Sequence, residues 1–212
     1  MQELNGLYVI SDNVLTPNET LLLQVETVLK NGVKIVQLRD KINDHDTVKK
    51  FAIAIQELCK KYNALFVLND DIDLAIQLQC DGLHIGKSDH TRFDEIREKF
   101  HGIIGVSCYG SIDLAMQFEA KGADYVAFGS FYPSPTKPSS NIVPLEVIEE
   151  AKKKLQIPVC AIGGINLNNL DQVLDYHPDM VCAISGIWDT QDLEIQTKKF
   201  TKKINEEKLW KK

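Results

Sequence analysis

Eight short apolar runs, each parted from the next by a segment of helical period, constrain this chain more than any other feature. The runs are 7–10, 33–38, 64–68, 82–85, 103–107, 125–128, 158–162 and 180–184. Each is nearly continuous in hydrophobicity, as expected of a parallel strand covered on both faces. Between them, Leu21, Leu22, Val25, Val28 and Leu29 recur at three- and four-residue steps over 18–31. Val48, Phe51, Ala52, Ile55 and Leu58 do the same over 46–62, and two further helices are marked by Leu114, Met116 and Phe118 and by Val147, Ile148 and Ala151. Asp46, Ser111 and Asp113 are the expected N-caps, and Gly32, Gly102 and Gly122 stand where C-terminal caps belong.

Strand entries repeat at intervals of one β/α unit: Asn31-Gly32-Val33, Asp81-Gly82-Leu83, Gly122-Ala123-Asp124-Tyr125 and Pro178-Asp179-Met180. Eight such units without a linker or a composition break predict one α/β domain over 1–212, a (β/α)8 TIM barrel near its minimum length. An open doubly wound sheet is the competing architecture. It uses a Gly-rich first turn, and none follows Ile10. The longest connection, 129–143, carries Pro133, Pro135 and Pro138 with four serines and reads as a lid or binding loop.

Charge and cysteine use narrow the function classes. With 24 Lys and Arg against 30 Asp and Glu, the net charge of −6 excludes the basic field of non-specific nucleic-acid binding. The five cysteines form no CxxC pair, which predicts a reducing cytoplasm. The opening Met1-Gln2-Glu3-Leu4-Asn5 lacks a signal-peptide pattern, and no run reaches the roughly 20 apolar residues of a membrane span. The expected partners are therefore small molecules, not nucleic acid or membrane, and self-association into a homo-oligomer is left open.

In a barrel the chemistry lies at the C-terminal ends of the strands. Gln37, Arg39 and Lys41 are two apart at the end of the second strand, so all three can face the mouth as an anion clamp. The plain alternative is a solvated loop with an Arg39–Asp40 pair. Asp70 and Asp89 follow the third and fourth strands, a carboxylate pair suited to Mg²⁺ shared with a phosphorylated ligand. Helix capping is the competing role, and Asp71 or Asp73 would fill it better. Gly163-Gly164 and Ser185-Gly186 follow the seventh and eighth strands, where this fold commonly binds phosphate on backbone N–H groups, although both also read as ordinary turns. His84 reads equally as a ligand contact or a hydrogen-bonded core residue. Cys108 reads as structural, with no histidine in a partnering position.

Taken in order, Gln-Leu-Arg-Asp-Lys (37–41), Leu-Asn-Asp (68–70), Asp-Gly-Leu-His-Ile-Gly-Lys-Ser-Asp (81–89), Gly-Val-Ser (105–107), Tyr-Pro-Ser-Pro-Thr-Lys (132–137) and Ala-Ile-Gly-Gly-Ile (161–165) resemble the thiamine-phosphate synthase family. The resemblance runs from Tyr8 to Ile187. It implies a transferase that joins a hydroxymethylpyrimidine diphosphate to a thiazole phosphate, with Mg²⁺, releasing diphosphate. Carried over by position, it implies that Gln37, Leu38, Arg39, Asp40, Lys41, Asn69, Ser107 and Lys137 bind the pyrimidine diphosphate. Arg39, Lys41, Lys137 and Ser107 would act on the leaving group, and Asp70 and Asp89 would hold Mg²⁺. Ser134, Pro135, Thr136, Gly164, Ile184 and Ser185 would hold the thiazole phosphate. Ser134 stands where the family often has Thr, and Cys108-Tyr109 where it often has Thr-His. The alternatives are a thiazole tautomerase of the same fold and a non-catalytic thiamine-phosphate-binding barrel. Neither needs Asp70, Asp89 and Lys137 together.

Overall fold

All eight predicted strands form, and they close on themselves in sequence order through parallel pairing, β1 to β8 included. The structure is a computed structural model that describes residues 3–134 and 141–209. Its strands are β1 (Gly6–Ile10), β2 (Ile35–Leu38), β3 (Leu65–Asn69), β4 (Gly82–Ile85), β5 (Ile103–Tyr109), β6 (Tyr125–Phe128), β7 (Val159–Ile162) and β8 (Met180–Ala183). The helices that return the chain are α1 (Leu21–Lys30), α2 (His45–Lys61), α3 (Ile72–Leu78), α4 (Phe93–Lys99), α5 (Ile112–Ala120), α6 (Glu146–Lys154) and α7 (Leu170–Leu174). After β8 come a short α8 (Ser185–Trp188) and a longer α9 (Leu193–Leu209).

Strand alternation sorts the core into two layers. Leu7, Val9, Val36, Leu38, Phe66, Leu68, Leu83 and Ile85 face outward into the apolar layer beneath the helices. Tyr8, Ile10, Ile35, Val67, Tyr125, Cys160, Met180 and Cys182 fill the barrel interior. Gly105 on β5 is there for the second layer: a Cβ would lie 1.9 Å from Cζ of Tyr125, so only glycine lets that ring lie across the inside of the barrel.

Several local expectations need correction. Asp44, not Asp46, caps α2 by accepting from Thr47 N, which leaves Asp46 in the first turn. Ser111 caps α5 through Leu114 N, so Asp113 is not a cap. Gly32 and Gly122 take positive φ just after their helices, but Gly102 does not. A Cβ at Gly102 would lie 2.8 Å from Asp81 O, so it is a point of close approach instead. Leu22 stands on the outer face of α1, whose buried stripe is Leu21, Val25, Val28 and Leu29.

Closure of the barrel is bolted by one side chain. Trp188 Nε1 donates to the carbonyl of Ile10 at 2.6 Å, joining residues 178 apart in sequence across the β8–β1 seam. Among the described residues no helix is long and apolar enough to cross a membrane, and all five cysteines are buried and free.

Candidate active site

At the C-terminal end of the barrel a cavity of about 130 Å³ opens among Gln37, Arg39, Asn69, His84, Ser107 and Ser130. That volume approaches the ~150 Å³ that accommodates a benzene ring in an engineered apolar cavity. The inward positions of β2 to β5 turn polar here: Gln37 and Asn69 follow the aliphatic Ile35 and Val67, and His84 and Ser107 follow Gly82 and Gly105.

Gln37, His84 and Ser107 belong to a connected line. Gln37 Nε2 donates to Tyr8 Oη at 2.5 Å, and the Tyr8 and Tyr125 hydroxyls lie 2.9 Å apart. Tyr125 Oη lies 2.9 Å from His84 Nδ1, and His84 Nε2 lies 2.9 Å from Ser107 Oγ. Burial pushes both phenols well above their ordinary pKa, so they remain neutral donors. His84 is thus both hydrogen-bonded in the core and a wall of the cavity.

Above the cavity the loops after β1, β2, β3 and β4 are braced by side chains. Ser11 Oγ accepts from Arg39 N at 2.9 Å, and Asn13 Oδ1 accepts from Lys41 N at 3.0 Å. Asp40 accepts from Asn13 Nδ2, Ile42 N and Asn43, and makes no pair with Arg39. Partial burial pushes its pKa up, but these bonds, led by those from Asn43, outweigh it and hold the carboxyl below its ordinary range. Asp40 therefore shapes the loop, and Leu38 is buried in the outer layer. Neither side chain lines the cavity, whereas Arg39 does.

Lys41 Nζ meets Asp70 Oδ2 at 2.5 Å. Asp71 caps α3 by accepting from Leu74 N, which frees Asp70 from that task. Asp70 itself adopts a left-handed φ of 61° while its N–H bonds to His84 O at 2.9 Å. A Cβ on Gly86 would lie 3.8 Å from Asp70 Oδ1, so the remaining oxygen adjoins the 3-10 turn Lys87–Arg92 that carries Asp89. Asp89 accepts from Ser88 Oγ at 2.8 Å and has Arg92 Nη1 at 3.6 Å. Among the described residues no three His, Cys, Asp or Glu converge as an all-protein metal cage. Two oxygen donors on neighbouring strand ends fit a Mg²⁺ ion that takes its other ligands from phosphate oxygens and water.

The opposite wall is built from backbone. Phe131 N donates to Ile162 O at 3.2 Å and Tyr132 N to Gly163 O at 3.0 Å, laying the loop after β6 on the turn after β7. A Cβ on Gly163 would lie 2.0 Å from Ser130 Oγ, and one on Gly164 would lie 2.4 Å from Pro133 O. The glycine pair is thus required first by the chain's own loop. Beside it a smaller recess of about 20 Å³ is lined by Ser134, Gly164, Ile184 and Ser185. Pro135, Thr136 and Lys137 lie outside the described residues. Cys108 is turned into the outer layer, and burial pushes its thiol up to about 12, so it offers no nucleophile.

Sequence reasoning missed Tyr8 and Tyr125, which read there as ordinary strand residues. The available signal was Gly105, a glycine inside a strand, where a neighbouring group approaches closely.

Comparison with known proteins agrees with the barrel fold. The sequence model of the family described as thiamine monophosphate synthase matches residues 7–187. The thiamine-phosphate synthase of Thioalkalivibrio sulfidiphilus is 40% identical over 200 residues, covering 93% of this chain and 94% of that protein. That of Wolinella succinogenes is 42% identical over 187 residues, covering 87% and 86%. The solved thiamine phosphate pyrophosphorylase of Pyrococcus furiosus superposes with a TM-score of 0.87 at 31% identity, covering 95% of this chain and 96% of that one. With its closed barrel, its polar mouth and this match along nearly its whole length, the chain belongs to the thiamine monophosphate synthase family.

Proposed function

We propose that this transferase condenses 4-amino-2-methyl-5-hydroxymethylpyrimidine diphosphate with a thiazole phosphate, in a Mg²⁺-dependent reaction that yields thiamine monophosphate and diphosphate. The main support is a ring-sized cavity lined by Arg39, Gln37 and Asn69, with the Lys41–Asp70 pair and Asp89 on the loops at the same end of the barrel. The pyrimidine lies in that cavity against Gln37 and Asn69. Arg39, Lys41, Ser107 and Lys137 take the diphosphate. The thiazole phosphate lies at the smaller recess, on Ser134, Gly164, Ile184 and Ser185, and the family resemblance adds Pro135 and Thr136 to its ligands.

The chemistry asks little covalent work of the protein. The bond between the methylene carbon and the diphosphate oxygen breaks, and its electron pair leaves with the diphosphate. The electron-rich aminopyrimidine carries the resulting positive charge until the thiazole nitrogen donates its lone pair to the carbon. No proton moves, so no general base is needed. Asp70 and Asp89 would hold the Mg²⁺, which when bound supplies charge neutralisation to the diphosphate. Lys41 is held ready by Asp70, and Arg39 by the backbone bond to Ser11 that fixes its loop. Charge placed where the leaving group develops its own is the main lever available to this site.

The test follows diphosphate release from the pyrimidine diphosphate with and without Mg²⁺, offering the carboxylated and the decarboxylated thiazole phosphate in turn. Metal-dependent release that needs an acceptor supports the reading. Absence of release, or interconversion of the two thiazole forms alone, overturns it.

A further inference from the structure

The line from Gln37 to Ser107 has a direction. Each hydroxyl in it has one proton to give. With Tyr8 Oη accepting from the Gln37 amide, the arrangement that leaves no buried phenol proton without an acceptor has Tyr8 donating to Tyr125 Oη. Tyr125 then gives its proton to His84 Nδ1, which must be the bare nitrogen of the imidazole. The imidazole proton is therefore on Nε2 and points at Ser107 Oγ, so the serine proton is turned away from His84. At the other end the Gln37 carbonyl oxygen has no partner among the described residues and is not sealed from solvent, although the residue is almost fully buried. Gln37 lines the cavity, and with its nitrogen turned to Tyr8 its oxygen is the amide atom left to face it.

We propose that Tyr8, Tyr125 and His84 are positioning residues that lock this line in one sense, so that the cavity offers a hydrogen-bond acceptor at Gln37 and a donor at Ser107. The proposal rests on the pyrimidine diphosphate reading above and extends it to selectivity. An exocyclic amino group is a donor and suits the Gln37 carbonyl. A phosphate oxygen is a pure acceptor and suits the Ser107 hydroxyl. A 4-oxopyrimidine presents lone pairs to Gln37 instead. Rotating the amide to meet it would make Tyr8 and Tyr125 reverse their donation, move the His84 proton to Nδ1 and turn the Ser107 proton inward. The four groups must change together, so the amide cannot adapt alone. Gly105 is part of the device, since its missing Cβ admits the Tyr125 ring that joins the two halves.

Long-range 1H–15N spectra of the labelled full-length protein test the line directly, with His84 assigned through His84→Gln. The expected result is an imidazole with its proton on Nε2 and none on Nδ1. A proton on Nδ1 overturns the proposal. Turnover supplies the second arm. The wild type should favour the 4-amino over the 4-oxo pyrimidine diphosphate by about 10³ or more in kcat/KM. Tyr8→Phe, which frees the amide to rotate, should cut that ratio about tenfold. An unchanged ratio in a folded Tyr8→Phe protein overturns the positioning role. If neither pyrimidine diphosphate reacts, the proposed function falls, and the imidazole spectrum still decides the line.

Discussion

The two sides of the barrel mouth are made of different material. From β1 to β4 the loops are held by side chains: Ser11 and Asn13 brace the β2 loop, and Lys41 reaches Asp70. From β6 to β8 the wall is backbone on backbone, with the loop after β6 bonded to Ile162 and Gly163 and seated where two glycines leave no Cβ. One side carries charge that can be exchanged without moving the chain. The other carries shape, and any side chain added there collides with main chain. Exchangeable charge thus stands on one wall of the cavity and fixed shape on the other.

Substitutions can break that division. The largest effect on folding should come from Gly164→Ala, which combines a left-handed φ with a Cβ 2.4 Å from Pro133 O. A loss of about 2–5 kcal/mol is expected in denaturant unfolding, from the backbone strain and the overpacking together. Wild-type stability in that variant would erase the distinction between the walls. Asp89→Ala should do the opposite, lowering turnover by about 10²–10³ while the melting temperature stays within a degree or two of wild type. A large fall in melting temperature would make Asp89 a structural residue. Smallest is Asp40→Asn, expected to cost about 1 kcal/mol through the loop bonds it weakens. Because folding lowers the Asp40 pKa below 3.8, its contribution is complete above that value and is lost as pH falls through the folded-state pKa. Stability-against-pH curves of the two proteins should therefore keep a constant gap above about pH 4 and converge as pH falls below it.

The fold was legible because each strand is apolar on both faces and each helix on one, so the two periods alternate without ambiguity. The same property hid the register. Where both faces are apolar, nothing in Leu7-Tyr8-Val9-Ile10 says that Tyr8 faces inward, and the interior line of bonds stayed out of reach. The placement of Arg39, Lys41, Asp70 and Asp89 at the C-terminal end of the barrel was legible from their positions after the apolar runs. Asp40 and Leu38 share their motif yet serve the loop and the outer layer, because neighbouring residues on a strand point to opposite faces. Gly163-Gly164 was legible as a special turn but not for its cause, since the loop that fills it starts more than thirty residues earlier.

The bolt between Trp188 and Ile10 has a consequence for how the protein is made. During synthesis β1 emerges first and must wait for β8, its partner across the seam, until almost the whole barrel has been translated. Until then the growing sheet is a trough with a raw edge on each side, open to pairing with other nascent chains. The last strand therefore arrives as a keystone, and a ribosome stalled before Trp188 would leave a chain prone to aggregate rather than a smaller working barrel.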